Sequence, residues 1–436
     1  MIPYRSGVAL GALFAFSLLV PSLAQAQSPN PRTEDLRSPV PVADVPDRRQ
    51  DVLQRLDTAE PPAGYRVGGF KMNPRLSGGI TYDDNIFATR NNKKSDLIGN
   101  VGVGLRAQTE MTQHFFGIDA AIDANKYADN SREDFWHGML NARGRYDVDR
   151  STNFGAEASV QRLTEPREAP DDLGSQEPLE FFVYRGAVNG AHEFGAFLSR
   201  GELGVQRLQY DDAATSNGTR ISTDDRERNE YFFNGQLGYR YLGPEQVYLR
   251  LNLNERDYDQ EVDNSSFRRG SKGYRAEVGA TADLGGLIFA DLSIGYQEQD
   301  YDDARFGSPG KPVWAGSLLW NPTRLTSVKA EGKYEFAESF NTGSPGYWRS
   351  LYTLTVAHEL RFNLVGFVRG VYQEREFDRL AREDEVYGGD IGLRYRLDRG
   401  MFLDGEYHHR KQDTTTAGAT GGYSRNLALV RLRRTF

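Results

Sequence analysis

The 436-residue sequence contains no cysteine, so disulfide bonds, thiolate metal sites and the lipid-modified cysteine of a lipoprotein are excluded. Basic residues are in deficit, because 61 acidic residues outnumber 53 lysines and arginines and the formal net charge is −8. This acidity argues against nucleic acid as a partner.

Long apolar runs are missing except at the amino terminus. There, residues 7–20 (GVALGALFAFSLLV) follow one positive charge and precede the small-residue sequence AQA, which ends at Ala26. The run is short for a bilayer-spanning helix, so the pattern indicates a secretory signal peptide, with an uncleaved membrane anchor as the alternative. We expect a signal peptide over residues 1–26, cleaved near Ala26, in a Gram-negative bacterium.

Glycine (46), tyrosine (23) and phenylalanine (24) are plentiful, a combination typical of all-β proteins. Apolar and polar residues alternate with the period of two that a β-strand requires. Over residues 70–83, for example, Leu76, Ile80 and Tyr82 share one face, while Arg75 and Thr81 lie on the other. The same alternation recurs over residues 96–110, 230–241, 274–284 and 328–336.

Two features favour a membrane barrel over a soluble sandwich. Small residues are mixed with large ones on the apolar faces, and aromatic residues gather at the ends of the apolar rows. Short turns such as residues 242–245 also alternate with long polar loops such as residues 211–228. The sequence therefore predicts an all-β fold over residues 67–436. This is a transmembrane antiparallel β-barrel of the bacterial outer membrane, with about 18 strands, long extracellular loops and short periplasmic turns.

Residues 27–66 precede the predicted barrel as a Pro-rich periplasmic segment. Val52, Leu53 and Leu56 would line one face of a short helix. A disordered tail, a helix that enters the lumen and a contact with a periplasmic partner all remain open. Disorder is the expectation.

Charged residues on the predicted inner faces are the candidate functional residues. The last four strands contribute a set that we name the basic wall: Arg369, Arg375, Arg394, Arg396, Arg410, Arg431 and Arg433. Free cations there would attract anionic solutes, most strongly at low salt. A network of paired charges that fills a wet interior is the alternative, since Asp404 and Glu406 lie nearby.

Acidic residues mark the predicted outer rim. Asp83 and Asp84 follow Tyr82 where the first strand enters its extracellular loop, and we expect them to be solvated rim acids. Binding of divalent cations that bridge lipopolysaccharide is the alternative. Tyr-Asp pairs recur at Tyr210, Tyr258 and Tyr301.

Signals for catalysis are weak. His408 and His409 lie near two acids, but successive strand residues point to opposite faces, so the two histidines cannot share a site. We expect no enzymatic activity, no cofactor and no metal site.

The chain ends on ALVRLRRTF, in which Phe436 closes the last predicted strand. A terminal aromatic residue resembles the recognition signal of the barrel assembly machinery. That machinery is an expected partner, together with outer-membrane lipid and lipopolysaccharide.

Two stretches resemble the opening of a family of outer-membrane β-barrel porins found with exopolysaccharide gene clusters. They are residues 64–89 (GYRVGGFKMNPRLSGGITYDDNIFAT) and 94–114 (KSDLIGNVGVGLRAQTEMTQH). Later blocks at residues 254–259, 270–279, 295–306 and 319–328 are similar to the same family, so the resemblance runs from residue 64 to the terminus. Gly64 departs from the acidic Tyr-Asp-Pro segment common in that family.

The resemblance implies export of an extracellular, anionic polysaccharide, usually beside a periplasmic polysaccharide export protein. Two alternatives stand next to it: a general diffusion porin for small solutes, and a surface anchor for polysaccharide. A long loop folded into the lumen would favour the porin, and residues 164–180 (TEPREAPDDLGSQEPLE) are the candidate constriction.

Overall fold

A computed structural model describes residues 49–215, 217–415 and 421–436. The predicted signal peptide, its cleavage site near Ala26 and residues 27–48 lie outside the described residues, and their assignments stay predictions. Within the described part of the chain, no helix is long and apolar enough to cross a lipid bilayer.

The described chain begins with a short helix, α1 (Val52–Thr58), and a short strand, β1 (Tyr65–Val67). Eighteen long strands follow and form the barrel. The first seven are β2 (Phe70–Asp83), β3 (Asp96–Thr109), β4 (Phe115–Tyr127), β5 (Phe135–Asp147), β6 (Thr152–Thr164), β7 (Glu180–Phe194) and β8 (Phe197–Tyr210). A small hairpin of β9 (Ala213–Ala214) and β10 (Arg220–Ile221) lies in the next loop.

The other eleven barrel strands complete the ring. They are β11 (Arg228–Leu242), β12 (Glu245–Tyr258), β13 (Ser271–Leu284), β14 (Ile288–Tyr301), β15 (Gly310–Thr323), β16 (Thr326–Glu338), β17 (Gly346–Arg361), β18 (Leu364–Phe377), β19 (Glu383–Asp398), β20 (Met401–Thr414) and β21 (Tyr423–Thr435). Single 3-10 turns lie in two loops, at Ser131–Glu133 and Asp224–Arg226.

The sheet is closed. Each long strand pairs antiparallel with its neighbour in the chain, and β2 pairs with β21 from Arg75–Thr435 to Asp83–Leu427. A closed ring has no free edge, so every strand can pair its backbone groups within the sheet, as the bilayer interior requires. The predicted all-β barrel of about 18 strands is confirmed.

Side chains alternate between the two faces of the wall. On β2, Leu76, Ile80 and Tyr82 are exposed on the outer face, where lipid would contact them, whereas Thr81 and Asp83 are buried inside. The outer face of β11 is likewise apolar, with Tyr231, Phe233, Leu237, Tyr239 and Tyr241 exposed.

The two ends of the barrel differ in their connections. At one end the strands are joined by short turns, such as residues 243–244 and 362–363. At the other end the loops include residues 165–179 and 211–227. The long loops mark the extracellular end, and Phe436 lies at the periplasmic end.

Helix α1 lies against the inner wall at the periplasmic end. Asp51 caps it, because its side chain accepts from the Gln54 amide while the Gln54 side chain accepts from the Asp51 amide. Val52 and Leu56 are almost fully buried, against Ala357, Val365, Phe367 and Phe402. For this part of the segment the expected disorder is wrong, because an apolar patch of the wall covers the apolar face of the helix.

Candidate functional site

The arginines of the basic wall point into the barrel, but at two different depths. Arg394, Arg396, Arg431 and Arg433 lie in the periplasmic half of their strands, whereas Arg375 and Arg410 lie near the extracellular ends. Arg369 lies between the two groups. Adjacency in the sheet therefore brings the residues to one side of the lumen without gathering them into one site.

The periplasmic group is centred on Asp404. Arg394 and Arg433 donate to its carboxylate at 2.8 and 2.6 Å, and Arg431 approaches to 3.7 Å. Arg396 lies 3.2 Å from Glu60, beyond the end of α1. The acids that neutralise this group therefore come partly from the amino-terminal segment.

The outer group and Arg369 pair with two acids of β19. Arg410 donates to Asp390 at 2.6 Å, and Arg369 lies 3.8 Å from the same carboxylate. Arg375 lies 3.7 Å from Asp384. Since every arginine of the basic wall has a carboxylate within 3.8 Å, the wall is a network of paired charges and not a surface of free cations.

Asp83 is not a solvated rim acid, so that expectation is wrong. Its side chain is fully buried and accepts from Arg425 Nε at 2.9 Å. Asp84 is partly buried and accepts from the backbone of Asn426 at 2.7 Å. Both acids tie the first loop to β21, and they do so because barrel closure places β21 beside β2.

The remaining predicted residues are placed as follows. Phe436 donates from its backbone to Pro74 at 2.9 Å, and its carbonyl accepts from Asn73 at 2.8 Å. His408 is buried and lies 3.0 Å from Asp390, whereas His409 is exposed on the other face. The recognition of Phe436 by the assembly machinery stays a prediction.

The loop of residues 165–179, which we name the constriction loop, folds into the barrel. Glu165, Glu168 and Asp171 are each about 95% buried. The loop leaves the wall between β6 and β7 and reaches the connection between β16 and β17, on the opposite side of the ring. There Asp171 accepts from Ser339 at 2.6 Å and from Asn341 at 2.7 Å.

Three contacts between a carboxyl group and an arginine fix the loop on its way across. Arg167 donates to Glu133 at 2.6 Å, on the β4–β5 side. Glu165 accepts from Arg226 at 3.1 Å, on the β8–β11 side. Glu168 accepts from Arg425, which also holds Asp83.

Burial raises the pKa of Glu165 to about 8, with Asp171 and Asp172 adding to the effect and Arg226 opposing it. Burial also raises the pKa of Glu168 and of Asp172. The docked loop therefore holds carboxyl groups that resist ionisation.

Beyond the loop, packed side chains fill part of the extracellular half of the lumen. Glu338 is buried and accepts from the Tyr258 hydroxyl at 2.7 Å, with Arg228 at 3.1 Å. The Phe340 ring lies about 5 Å from the guanidinium groups of Arg226 and Arg228. These packed groups come from β11, β12, β16 and the neighbouring loops, on the side of the lumen opposite β2 to β6.

The amino-terminal segment narrows the periplasmic mouth. Arg49 pairs with Glu245 of β12, the Val52 amide donates to Ser327 of β16 at 2.9 Å, and farther along Asp57 accepts from Arg394 of β19 at 2.8 Å. Residues 49–60 thus follow the inner wall from β12 to β19.

Sequence patterns missed several of these partners. Arg425 carried a usable signal, because it shares the inner face of β21 with Arg431 and Arg433. Arg226, Ser339 and Asn341 carried none, since they lie in loops where no period fixes the direction of a side chain.

The chain is similar to known proteins in its sequence and in its fold. The sequence profile of the family described as "Putative beta-barrel porin 2" matches residues 60–436. No curated protein matches the sequence at a significant level.

Solved structures with a similar fold include OccK2 (OpdF) of Pseudomonas aeruginosa in complex with glucuronate, at 13% identity and a TM-score of 0.49. That match covers 86% of this chain and 100% of the other. OccAB3 of Acinetobacter baumannii matches at 12% identity and a TM-score of 0.48, covering 85% of this chain and 100% of that one. The outer membrane protein OpdK from Pseudomonas aeruginosa matches at 11% identity and a TM-score of 0.46, covering 84% of this chain and 99% of that one.

Proposed function

Since the chain belongs to the family described as "Putative beta-barrel porin 2", an outer-membrane β-barrel family, we propose that it is a diffusion channel for small polar solutes. The constriction loop carries this proposal. It crosses a barrel that is otherwise wide enough for an aqueous channel, so it limits the size of what passes.

The tethers of the loop support a fixed constriction. Glu168 and Asp171 bind partners on opposite sides of the loop, at Arg425 and Asn341. Breaking a buried ion pair typically costs about 3–5 kcal/mol, because the remaining charge is left buried without compensation. The resting channel is therefore narrow, and solutes meet the loop at every passage.

Export of an extracellular polysaccharide, which the sequence resemblance implies, has less support. An extended polymer would need a continuous opening past both the constriction loop and residues 49–60. The paired basic wall also lacks the free cations with which an anionic polymer would interact. A surface anchor has no feature of its own in its favour among the described residues.

The test is size selectivity. The purified protein in liposomes should admit monosaccharides, with swelling rates that fall steeply for longer oligosaccharides. Deleting residues 169–176 should raise the size limit, whereas deleting the exposed residues 90–93 of the first loop should not. A wild-type protein that passes neither ions nor monosaccharides would contradict the proposal. In the native host, periplasmic polymer that accumulates on gene deletion would favour export instead.

A further inference from the structure

A cavity of about 220 Å³ lies between the constriction loop and the wall formed by β21 and β2 to β5. It lies on the side of the lumen that the packed residues around Glu338 leave open. Its size suits one small solute and not a chain of sugar units.

Two neighbouring rows of inward side chains form the wall of this cavity. The row nearer the extracellular end consists of Arg431, Gly79, Asn100, Asn125 and Phe135, in order across the sheet. The next row consists of Ser77, Gly102, Asp123 and His137. Each row includes a glycine, so no side chain projects into the cavity at those two points.

Hydrogen bonds fix the amides that border the cavity. Thr81 donates to the Asn100 oxygen at 2.9 Å, and the Asn100 amide donates to the Asn125 oxygen. An amide nitrogen has two hydrogens, so among the described contacts Asn125 Nδ2 keeps both of its donors and Asn100 Nδ2 keeps one for a solute. In the second row, the Asp123 side chain lies over Gly102. A methyl group added to Gly102 would lie 2.2 Å from the Asp123 carboxylate oxygen.

Several lining residues have a polar atom without a hydrogen-bond partner among the described residues. They include Oε1 of Glu168, Nε2 of His137 and Oγ1 of Thr164. Glu168 is 4% exposed, and its other oxygen binds Arg425. These atoms are out of reach of water, so the hydrogen-bond donors that border the cavity are the amides of Asn100 and Asn125.

The charge of the lining favours a neutral ligand. Glu133 pairs with Arg167, Glu168 with Arg425, and Glu165 with Arg226. The other charged residues of the described lining are Asp123 and Arg431, one of each sign, so neither sign is left in clear excess. Apolar surface is present as well, from Ile98, Leu427 and Phe135. A sugar ring has both kinds of surface, hydroxyl groups at its edge and C–H groups on its faces.

We propose that this cavity is a binding subsite for a neutral, hydroxyl-rich solute of monosaccharide size. The inference rests on the proposed diffusion function and names its substrate class. The solute lies below the constriction loop, against the amides of Asn100 and Asn125, on its way through the lumen.

The test uses the full protein in planar lipid bilayers, with glucose as the probe. Glucose should reduce the ion current in a saturable way, and Asn125→Leu should raise the half-blocking concentration about tenfold by removing a hydrogen-bond donor. Asn252→Leu is the matched control, because Asn252 forms a similar cross-strand amide pair with Asn234 on another part of the wall. His137→Phe provides a second variant from the neighbouring row, and heat-modifiable migration on gels shows that each variant forms a closed barrel.

The outcomes separate the two proposals. If glucose swells liposomes but never blocks the current, or if Asn252→Leu weakens the block as much as Asn125→Leu, the subsite is wrong and the channel stands. If glucuronate blocks at a tenth of the glucose concentration, the neutral class is wrong. If neither ions nor glucose pass, the diffusion function fails and the subsite fails with it.

Discussion

The Asp57 carboxylate lies 2.8 Å from the Arg394 guanidinium, although 337 positions separate the two residues. Arg394 also donates to Asp404 on the neighbouring strand. The amino-terminal segment is thus part of the charge network of the wall, and its helix is held by an ion pair on one side and apolar contacts on the other.

Release of α1 should widen the periplasmic mouth. Leu56→Asp places a charge in the apolar patch of Val365, Phe367 and Phe402, so the helix should undock and single-channel conductance should rise. Gln54→Glu adds the same charge on the exposed face and keeps the capping box, so it should leave conductance unchanged. Equal conductance in both variants would show that α1 does not narrow the pore.

The constriction loop should respond to pH. Because burial raises the pKa of Glu165 to about 8, its carboxyl favours the docked loop fully below the ordinary value of 4.5. That preference is lost as the pH rises through about 8. Conductance and cleavage of the loop by added protease should therefore both increase between pH 5 and pH 8.

Glu165→Gln tests the origin of this response. The variant cannot ionise at position 165, so the pH dependence should become shallower, with the remainder due to Glu168 and Asp172. A slope identical to that of the wild type would assign the response to other groups.

Arg425 should be essential for the constriction. Arg425→Gln leaves Asp83 and Glu168 buried without a cation, so the loop should detach and the size limit in liposome swelling should increase. Arg66→Gln removes an exposed ion pair with Glu110, which solvent screens, so the free energy of unfolding and the swelling rate should both stay unchanged. An unchanged size limit in Arg425→Gln would mean that the remaining tethers suffice.

One glycine should be required for pairing of β13 with β14. A methyl group on Gly295 would lie 1.9 Å from the carbonyl oxygen of Ala276, so Gly295→Ala should destabilise the barrel by about 1–3 kcal/mol. Gly78→Ala has no atom within 4 Å of the added carbon and should be tolerated. The temperature at which each variant unfolds in detergent measures the difference.

The sequence predicted which face each strand residue takes, because a period of two is a local property of the chain. Tyr82 precedes the last residue of β2 and faces outward, whereas Tyr258 and Tyr301 end their strands and face inward. The tyrosines of the repeated Tyr-Asp pairs therefore lie on different faces of the barrel wall. Only the position of each tyrosine relative to the end of its strand distinguishes the two cases.

Partners across the lumen could not be predicted in the same way. The inward direction of the basic wall followed from alternation, but its neutralisation depends on Asp57 from α1 and on Asp384 and Asp390 of β19. The burial of Asp83 depends on Arg425, which is close only when the ring is closed. Contacts of this kind are set by the diameter and closure of the barrel, and no short stretch of sequence encodes them.

The pairing of β2 with β21 also has a consequence for the order of assembly. Every other neighbouring pair of barrel strands is consecutive among the long strands, whereas this one joins Arg75 to Thr435. The entropy of closing so long a loop is lost in a single late step. Until then β2 and β21 both have free edges. Closure then occupies the Phe436 backbone with Asn73 and Pro74, so these two contacts form only when the ring closes.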